Sequence, residues 1–266
     1  MVGKVAVVMA AGKGTRMKSE LPKVLCEVCG RPMIEYVLDT LENAGIDRIL
    51  VVIGYRSDLV REMLLHRTKL EYCEQWEQKG TGHAVMMTRP LIENFDGPLL
   101  VVAGDCPMIQ QESIEAMFAA YQREQVACVM GTAYKDNPAG LGRIVRDTNG
   151  QFQKIVEEKD ATDAERLITE VNMSYYLFRT PDLLGVLDLL KTDNVQGEYY
   201  ITDAPAVLLS QGKKVVALPV LKPIEGLGIN NVEELAAVNQ AMQEILEMKK
   251  QAFPGDVTTD QPAQHT

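Results

Sequence analysis

The sequence contains no apolar run approaching the ~18 residues that a membrane span requires, and it carries no excess of positive charge: 37 acidic residues stand against 27 basic ones, a formal net charge of −10. The short apolar run Val5–Met9 reads as a buried strand. It is too short for a signal peptide, and cations follow it at once. The acidic excess argues against nonspecific binding to nucleic acid or to anionic membranes. Histidine is scarce, with only His66, His83 and His265, and no Ser/His/Asp arrangement is visible. The five cysteines are odd in number and scattered, which does not describe a secreted disulfide framework. Reduced thiols in a cytoplasmic protein are the expectation. Cys26-x-x-Cys29 has no second pair and no nearby histidine, so it reads as small apolar side chains beside a strand, not a zinc site. No repeat of 20–50 residues is present.

Against this acidic background stands a cationic loop. Met9-Ala10-Ala11-Gly12-Lys13-Gly14-Thr15-Arg16-Met17-Lys18 follows the first strand and runs on to Pro22-Lys23. Four cations (Lys13, Arg16, Lys18, Lys23) accompany one acid, Glu20. Two glycines let backbone N–H groups close around a bulky anion. The loop has neither P-loop spacing nor the third glycine of a dinucleotide fingerprint. A phosphate chain is the expected ligand.

Strand-like runs alternate with helical periodicity. Helix is expected after Pro32, with Met33, Ile34, Val37, Leu38 and Leu41 facing inward and Gly45 closing it. Strands are expected at 49–53, 70–74 and 99–103, and helices near 58–66 and 111–124. Richer β pattern follows at 127–134, 142–146, 151–156 and 171–178. This implies an α/β fold: a Rossmann-like three-layer sandwich with a mostly parallel central sheet and a small antiparallel excursion. The expected organisation is one domain over 1–230, an amphipathic helix over 231–252 and a disordered tail over 253–266. Asn231 and Glu234 suit a capping box, and Val232, Leu235, Val238, Met242 and Ile245 form an apolar stripe. That helix reads as packing on its own domain or as an oligomer contact.

In open α/β sheets ligands bind beyond the carboxyl ends of the strands. Three segments land there: the Gly12 loop, Gly54-Tyr55 and Gly104-Asp105. A carboxylate at Asp105 suits Mg²⁺, which bridges phosphates and keeps waters. Asn230 is a candidate second oxygen ligand, although its place before a helix equally suits a cap.

The loop pattern and the segments Glu77–Ala84, Gly104–Pro107, Gly140–Ile144, Ile155–Thr162, Glu170–Asn172 and Gln196–Asp203 together resemble the sugar-1-phosphate nucleotidyltransferases. The match is most specific to the uridyltransferase domain of bifunctional enzymes that also carry a glucosamine-1-phosphate acetyltransferase. The resemblance implies uridylyl transfer from UTP to N-acetylglucosamine-1-phosphate in cell-wall amino-sugar metabolism, with Mg²⁺ and no covalent intermediate. It places Met9, Ala10, Ala11, Gly12, Gln75, Gly80, Thr81, Ala103 and Gly104 on the nucleotide, and Gly142, Glu157 and Asn172 on the sugar. Arg16 and Lys23 take the phosphates, and Asp105 and Asn230 take the metal. Of two adjacent acids, Glu157 aligns with the family and Glu158 is expected to be solvated; His83 is expected to be structural. The chain departs from the pattern at Ala103 and at Met173-Ser174, both expected near the sugar. Another sugar phosphate or base, or a silent nucleotide-sugar module, are the alternatives. The hexapeptide repeats of the bifunctional enzymes are absent, so acetyl transfer is not expected of these residues, and the oligomeric state stays open.

Overall fold

The computed structural model describes residues 3–17 and 19–252. Lys18 and the expected tail over 253–266 lie outside the described residues. Eleven strands are found among them: β1 Val5–Met9, β2 Glu27–Val28, β3 Arg31–Pro32, β4 Arg48–Ile53, β5 Leu70–Glu74, β6 Pro98–Ala103, β7 Cys128–Tyr134, β8 Gly142–Arg146, β9 Phe152–Val156, β10 Glu170–Arg179 and β11 Val215–Leu218. The main sheet runs β11-β7-β10-β6-β1-β4-β5, and β8 and β9 extend from β10. β1 is parallel to β4 and β6, β4 to β5, and β11 to β7. β10 is antiparallel to β6 and β7, and β8 is antiparallel to β10 and β9. The antiparallel part expected in the second half is therefore more than an edge feature. β10 carries it into the middle of the sheet, so that Asn172 at the start of β10 lies at the same edge as the carboxyl ends of β1 and β6.

The nine α-helices of the described residues are α1 Met33–Asn43, α2 Ser57–Met63, α3 Thr81–Met86, α4 Arg89–Ile92, α5 Gln111–Glu124, α6 Asp163–Arg166, α7 Thr180–Leu187, α8 Ala204–Ser210 and α9 Val232–Ala252, alongside four short 3-10 turns. Strand alternation divides the core between the two faces of the sheet. Ala6 and Val8 join α1, α2 and α5 on one face. Val5 and Val7 join α3, α4, α7 and α8 on the other. The five apolar residues expected to face inward from α1 are completely buried, and Gly45, at φ +73°, ends its C-terminal turn. Among the described residues no helix is long and apolar enough to cross a membrane.

A third apolar cluster lies beneath α9. Val238 and Met242 are buried there with Met17, Cys26, Val28, Met33, Met108 and Ile229. Val232, the first residue of the expected stripe, is 49% exposed and takes no part. The Cys29 N–H donates to Asn239 Oδ1 at 2.7 Å, tying α9 to the β2–β3 hairpin. Cys29 and Gly30 form the two-residue turn of that hairpin, both with positive φ. Cys26 and Cys29 thus serve a turn and its packing, and no group of three or more His, Cys, Asp or Glu suited to a metal occurs among the described residues.

Candidate active site

The loop after β1 is held open by its neighbours. The Ala10 N–H donates to Val52 O at 2.8 Å, and Ala11 O accepts from Tyr55 N and Gln78 Nε2, the latter at 2.7 Å. The two glycines do different work. Gly12 faces a cavity of about 440 Å³. Gly14 sits at φ +66°, and a Cβ there would lie 2.7 Å from Lys23 Cβ. Gly14 therefore makes room for the Lys23 stem instead of closing on an anion. Of the four loop cations, Lys13 lies over the Tyr55 ring at 5.0 Å, whereas Arg16 and Lys23 turn toward the end of β6.

There the predicted phosphate and metal residues meet. Lys23 Nζ donates to the Asp105 carboxylate and to Asn230 Oδ1, the latter at 2.8 Å. Arg16 Nη2 lies 3.4 Å from the same amide oxygen. Three distant stretches of chain thus converge on one ammonium group. Asn230 is free for this because Asn231 does the capping: its Oδ1 accepts from the Glu234 N–H at 2.8 Å. Glu234 Oε2 in turn accepts from the Asn230 N–H at 2.6 Å, a capping box shifted by one residue. Cys106 also lines the cavity; burial pushes its thiol well above the ordinary range, and the Asp105 charge adds to this.

On one side of Asp105, buried Gln75 donates through Nε2 to Gly80 O at 3.0 Å and lies 3.1 Å from His83 Nδ1. His83 thus orients Gln75. Gly80 is at φ +102°, with Tyr199 O 2.5 Å from where a Cβ would stand. Thr81 Oγ1 accepts from the Ile201 N–H at 3.1 Å. On the other side lie Gly142, Glu157 and Asn172. Asn172 Nδ2 donates to the Tyr176 hydroxyl at 2.7 Å. Burial pushes the Glu157 carboxyl up although a hydrogen bond with Thr202 opposes it. After Asn172 the β10 register slips, and Ser174 takes φ +60°. Met173, Ser174 and Ala103, the points of departure from the family pattern, all line the cavity.

Two predicted residues fall outside the lining. Arg16 is exposed at the rim. Gly104 is buried beneath the floor, its N–H on Met9 O at 3.0 Å and its Cα so close to Val8 and Val24 that a Cβ would meet each at 3.2 Å. Glu158, expected to be solvated, is half-buried and engaged: its side chain is 32% exposed, and Oε2 accepts from Arg143 Nη2 at 2.7 Å and from the Gly140 N–H at 3.1 Å. The sequence reading also missed Gln78, Glu198, Gly226 and Gly228, which line the cavity. Gln78 and Glu198 lie inside segments singled out by their pattern, whereas only tertiary contact brings the two glycines there.

The profile of the MobA-like NTP transferase domain matches residues 6–172. The Bifunctional protein GlmU of Limosilactobacillus reuteri is 42% identical over 243 residues, covering 91% of this chain and 53% of its own length. That of Streptococcus gordonii is 42% identical over 244 residues, 92% of this chain and 53% of its own. The chain spans about half the length of the curated relatives it matches. A UDP-glucose pyrophosphorylase complexed with UDP-glucose superposes with TM-score 0.74 at 20% identity over 92% of this chain and 100% of its own. A putative glucose-1-phosphate thymidylyltransferase from Bacillus anthracis gives TM-score 0.74 at 17% identity over 91% of this chain and 96% of its own. These two share the fold. Because the matched region takes in the Gly12 loop, the Asp105 turn and Asn172, and exceeds half of the sequence, the chain belongs to the MobA-like NTP transferase family.

Proposed function

We propose that the chain transfers a uridylyl group from UTP to N-acetylglucosamine-1-phosphate, giving UDP-N-acetylglucosamine and pyrophosphate. The observation that carries this reading is the meeting of Lys23, Asp105 and Asn230 between the Gln75–Gly80 wall and the Gly142–Asn172 wall of one cavity. The choice of base and sugar is supported by the relatives named GlmU and by the ordered segments that resemble uridyltransferases.

The donor set suits Mg²⁺. Asp105 and Asn230 present two hard oxygens to a single cationic point. A cage of three or more acidic, histidine or cysteine ligands is absent among the described residues. Mg²⁺ is commonly held by one or two carboxylates plus substrate phosphates. Bound by Asp105 and Asn230, it would neutralise phosphate charge.

A sugar phosphate needs no general base, because a phosphomonoester's second pKa is about 6. Its oxygen attacks the α-phosphorus of the nucleotide, the bond to the β-bridging oxygen breaks, and pyrophosphate leaves with that electron pair. What the chain supplies is alignment and relief of repulsion between two anions. Lys23 and Arg16 meet the phosphates, the Met9–Gly12 backbone borders the nucleotide, Gln75 and Gly80 meet the base, and Glu157 and Asn172 meet sugar hydroxyl and amide groups.

A pyrophosphate-release assay over four nucleoside triphosphates and several sugar 1-phosphates tests the reading. Turnover is expected with UTP and N-acetylglucosamine-1-phosphate, and its absence sinks the assignment. Ala103, Met173 and Ser174 in the cavity wall favour, as a second reading, a different sugar 1-phosphate, which the same panel identifies.

A further inference from the structure

The cavity wall opposite the nucleotide loop includes Gly140, Leu141 and Gly142, a stretch in which only Leu141 carries a side chain beyond Cα, packed against the core, and in which Gly142 pairs with Asn172 of β10. Its backbone is pinned from behind. Arg143 is 1% exposed, and its Nη1 donates to Leu141 O. Its Nη2 donates to Glu158 Oε2 at 2.7 Å, and the same carboxylate accepts the Gly140 N–H at 3.1 Å. Arg143 Nε, also buried, has no partner among the described residues. The fork is thus aimed at two targets only: the carbonyl of one wall residue and the carboxylate that holds another. Gly140 is at φ +80°, so the wall turns sharply between the two pins. Next to it Gly142 packs so tightly that a Cβ would lie 3.0 Å from Ile155 Cγ2 and 3.5 Å from Asn172 Cβ. A shift of this backbone meets Ile155 first, and it moves the strand residue paired with Asn172.

We infer that Arg143 and Glu158 are positioning residues for the sugar phosphate, setting the Gly140–Gly142 backbone and through it the KM for that substrate alone. Neither touches the reacting groups, since both lie outside the cavity lining. The inference rests on the proposed sugar 1-phosphate transfer. Arg143 beside it holds the Glu158 carboxyl below the ordinary range, so the carboxylate is charged at neutral pH. Arg166 Nε lies 3.7 Å from the other Glu158 oxygen and is largely exposed, so it shares the carboxylate without reaching the wall.

Four variants test this: Glu158→Ala, Glu158→Gln, Arg143→Lys and, as control, Arg166→Ala. Steady-state kinetics are taken on the sugar 1-phosphate that the native chain turns over. Nucleotide affinity is read from the fluorescence of Trp76, the only tryptophan, which is 76% exposed beside Gln75. Glu158→Ala and Arg143→Lys are expected to raise the KM for the sugar 1-phosphate about tenfold or more, with smaller changes in kcat and in nucleotide Kd. Glu158→Gln, whose amide oxygen still accepts the Gly140 N–H, recovers part of the loss, and Arg166→Ala matches the native chain. If Glu158→Ala does not fold, Arg143→Lys carries the comparison, because it keeps the buried charge and removes the fork. A native-like KM in a folded Arg143→Lys variant overturns the inference, as does nucleotide Kd rising in step with KM. A native chain that uses a different sugar corrects the proposed substrate only. One that binds no sugar 1-phosphate overturns both.

Discussion

Lys23 is the side chain on which most of the site depends, and two neighbours fix it. Gly14 leaves space for its stem, since a Cβ there would stand 2.7 Å from Lys23 Cβ, and Asp105 with Asn230 receives its ammonium group. On the proposed function, replacing Lys23 by alanine removes a cation that faces the reacting phosphates, and replacing Asp105 removes a ligand of the metal that would do so. A fall in kcat of about 10²–10³-fold is expected, with the circular dichroism of the folded protein retained; near-native rates in single-turnover experiments count against the roles given. Gly14→Ala forces a Cβ both into a left-handed backbone and onto Lys23. It should cost about 1–2 kcal/mol from the backbone alone and lower kcat as well, measured by urea unfolding and by pyrophosphate release. That Lys23, Asp105 and Asn230 would meet was legible from their types and order. Gly14's partner was not, because nothing local distinguishes a glycine that meets a ligand from one that meets a lysine nine residues on.

At the scale of elements, the helices and buried strands announced themselves through periodicity and punctuation. α5 occupies the predicted 111–124 span, and Pro32 and Gly45 bracket α1 as their backbone preferences require. α9 shows where periodicity runs out. Its stripe was visible, yet the surface it covers is a hairpin and a methionine cluster brought together from five other places in the chain. Asn231→Ala removes a cap whose oxygen accepts at 2.8 Å, and a loss of about 1 kcal/mol follows for such caps. Since Glu234 also holds the Asn230 N–H, the loss of the cap should be accompanied by weaker metal affinity, read by Mn²⁺ titration. Unchanged metal affinity would mean that Lys23 alone sets the Asn230 amide.

For the molecule as a whole, charge sets the response to acid. Arg31 and Arg67 hold the Asp39 carboxyl down against its burial, Arg48 holds Glu71 down, and Arg143 holds Glu158 down. Hydrogen bonds from Thr162 bring Glu165 from 4.5 to about 2. A carboxyl whose pKa is lower folded than unfolded adds stability above its unfolded value and loses it as pH falls through the folded one. The melting temperature is therefore expected to drop as pH falls from about 4.5 toward about 2, the interval Glu165 spans, in a differential scanning series. A flat profile there would show these pairs to be worth nothing to the fold. By itself the sequence determined the α/β alternation, the cationic loop and the ordered motifs of the family, because each is a local pattern of residue types. Only the tertiary structure decided that β10 enters the centre of the sheet, that Asn230 faces Lys23 while Asn231 caps the helix, and that Glu158 grips the cavity wall. Each of these depends on which distant backbone a side chain meets, and no spacing along the chain encodes that meeting.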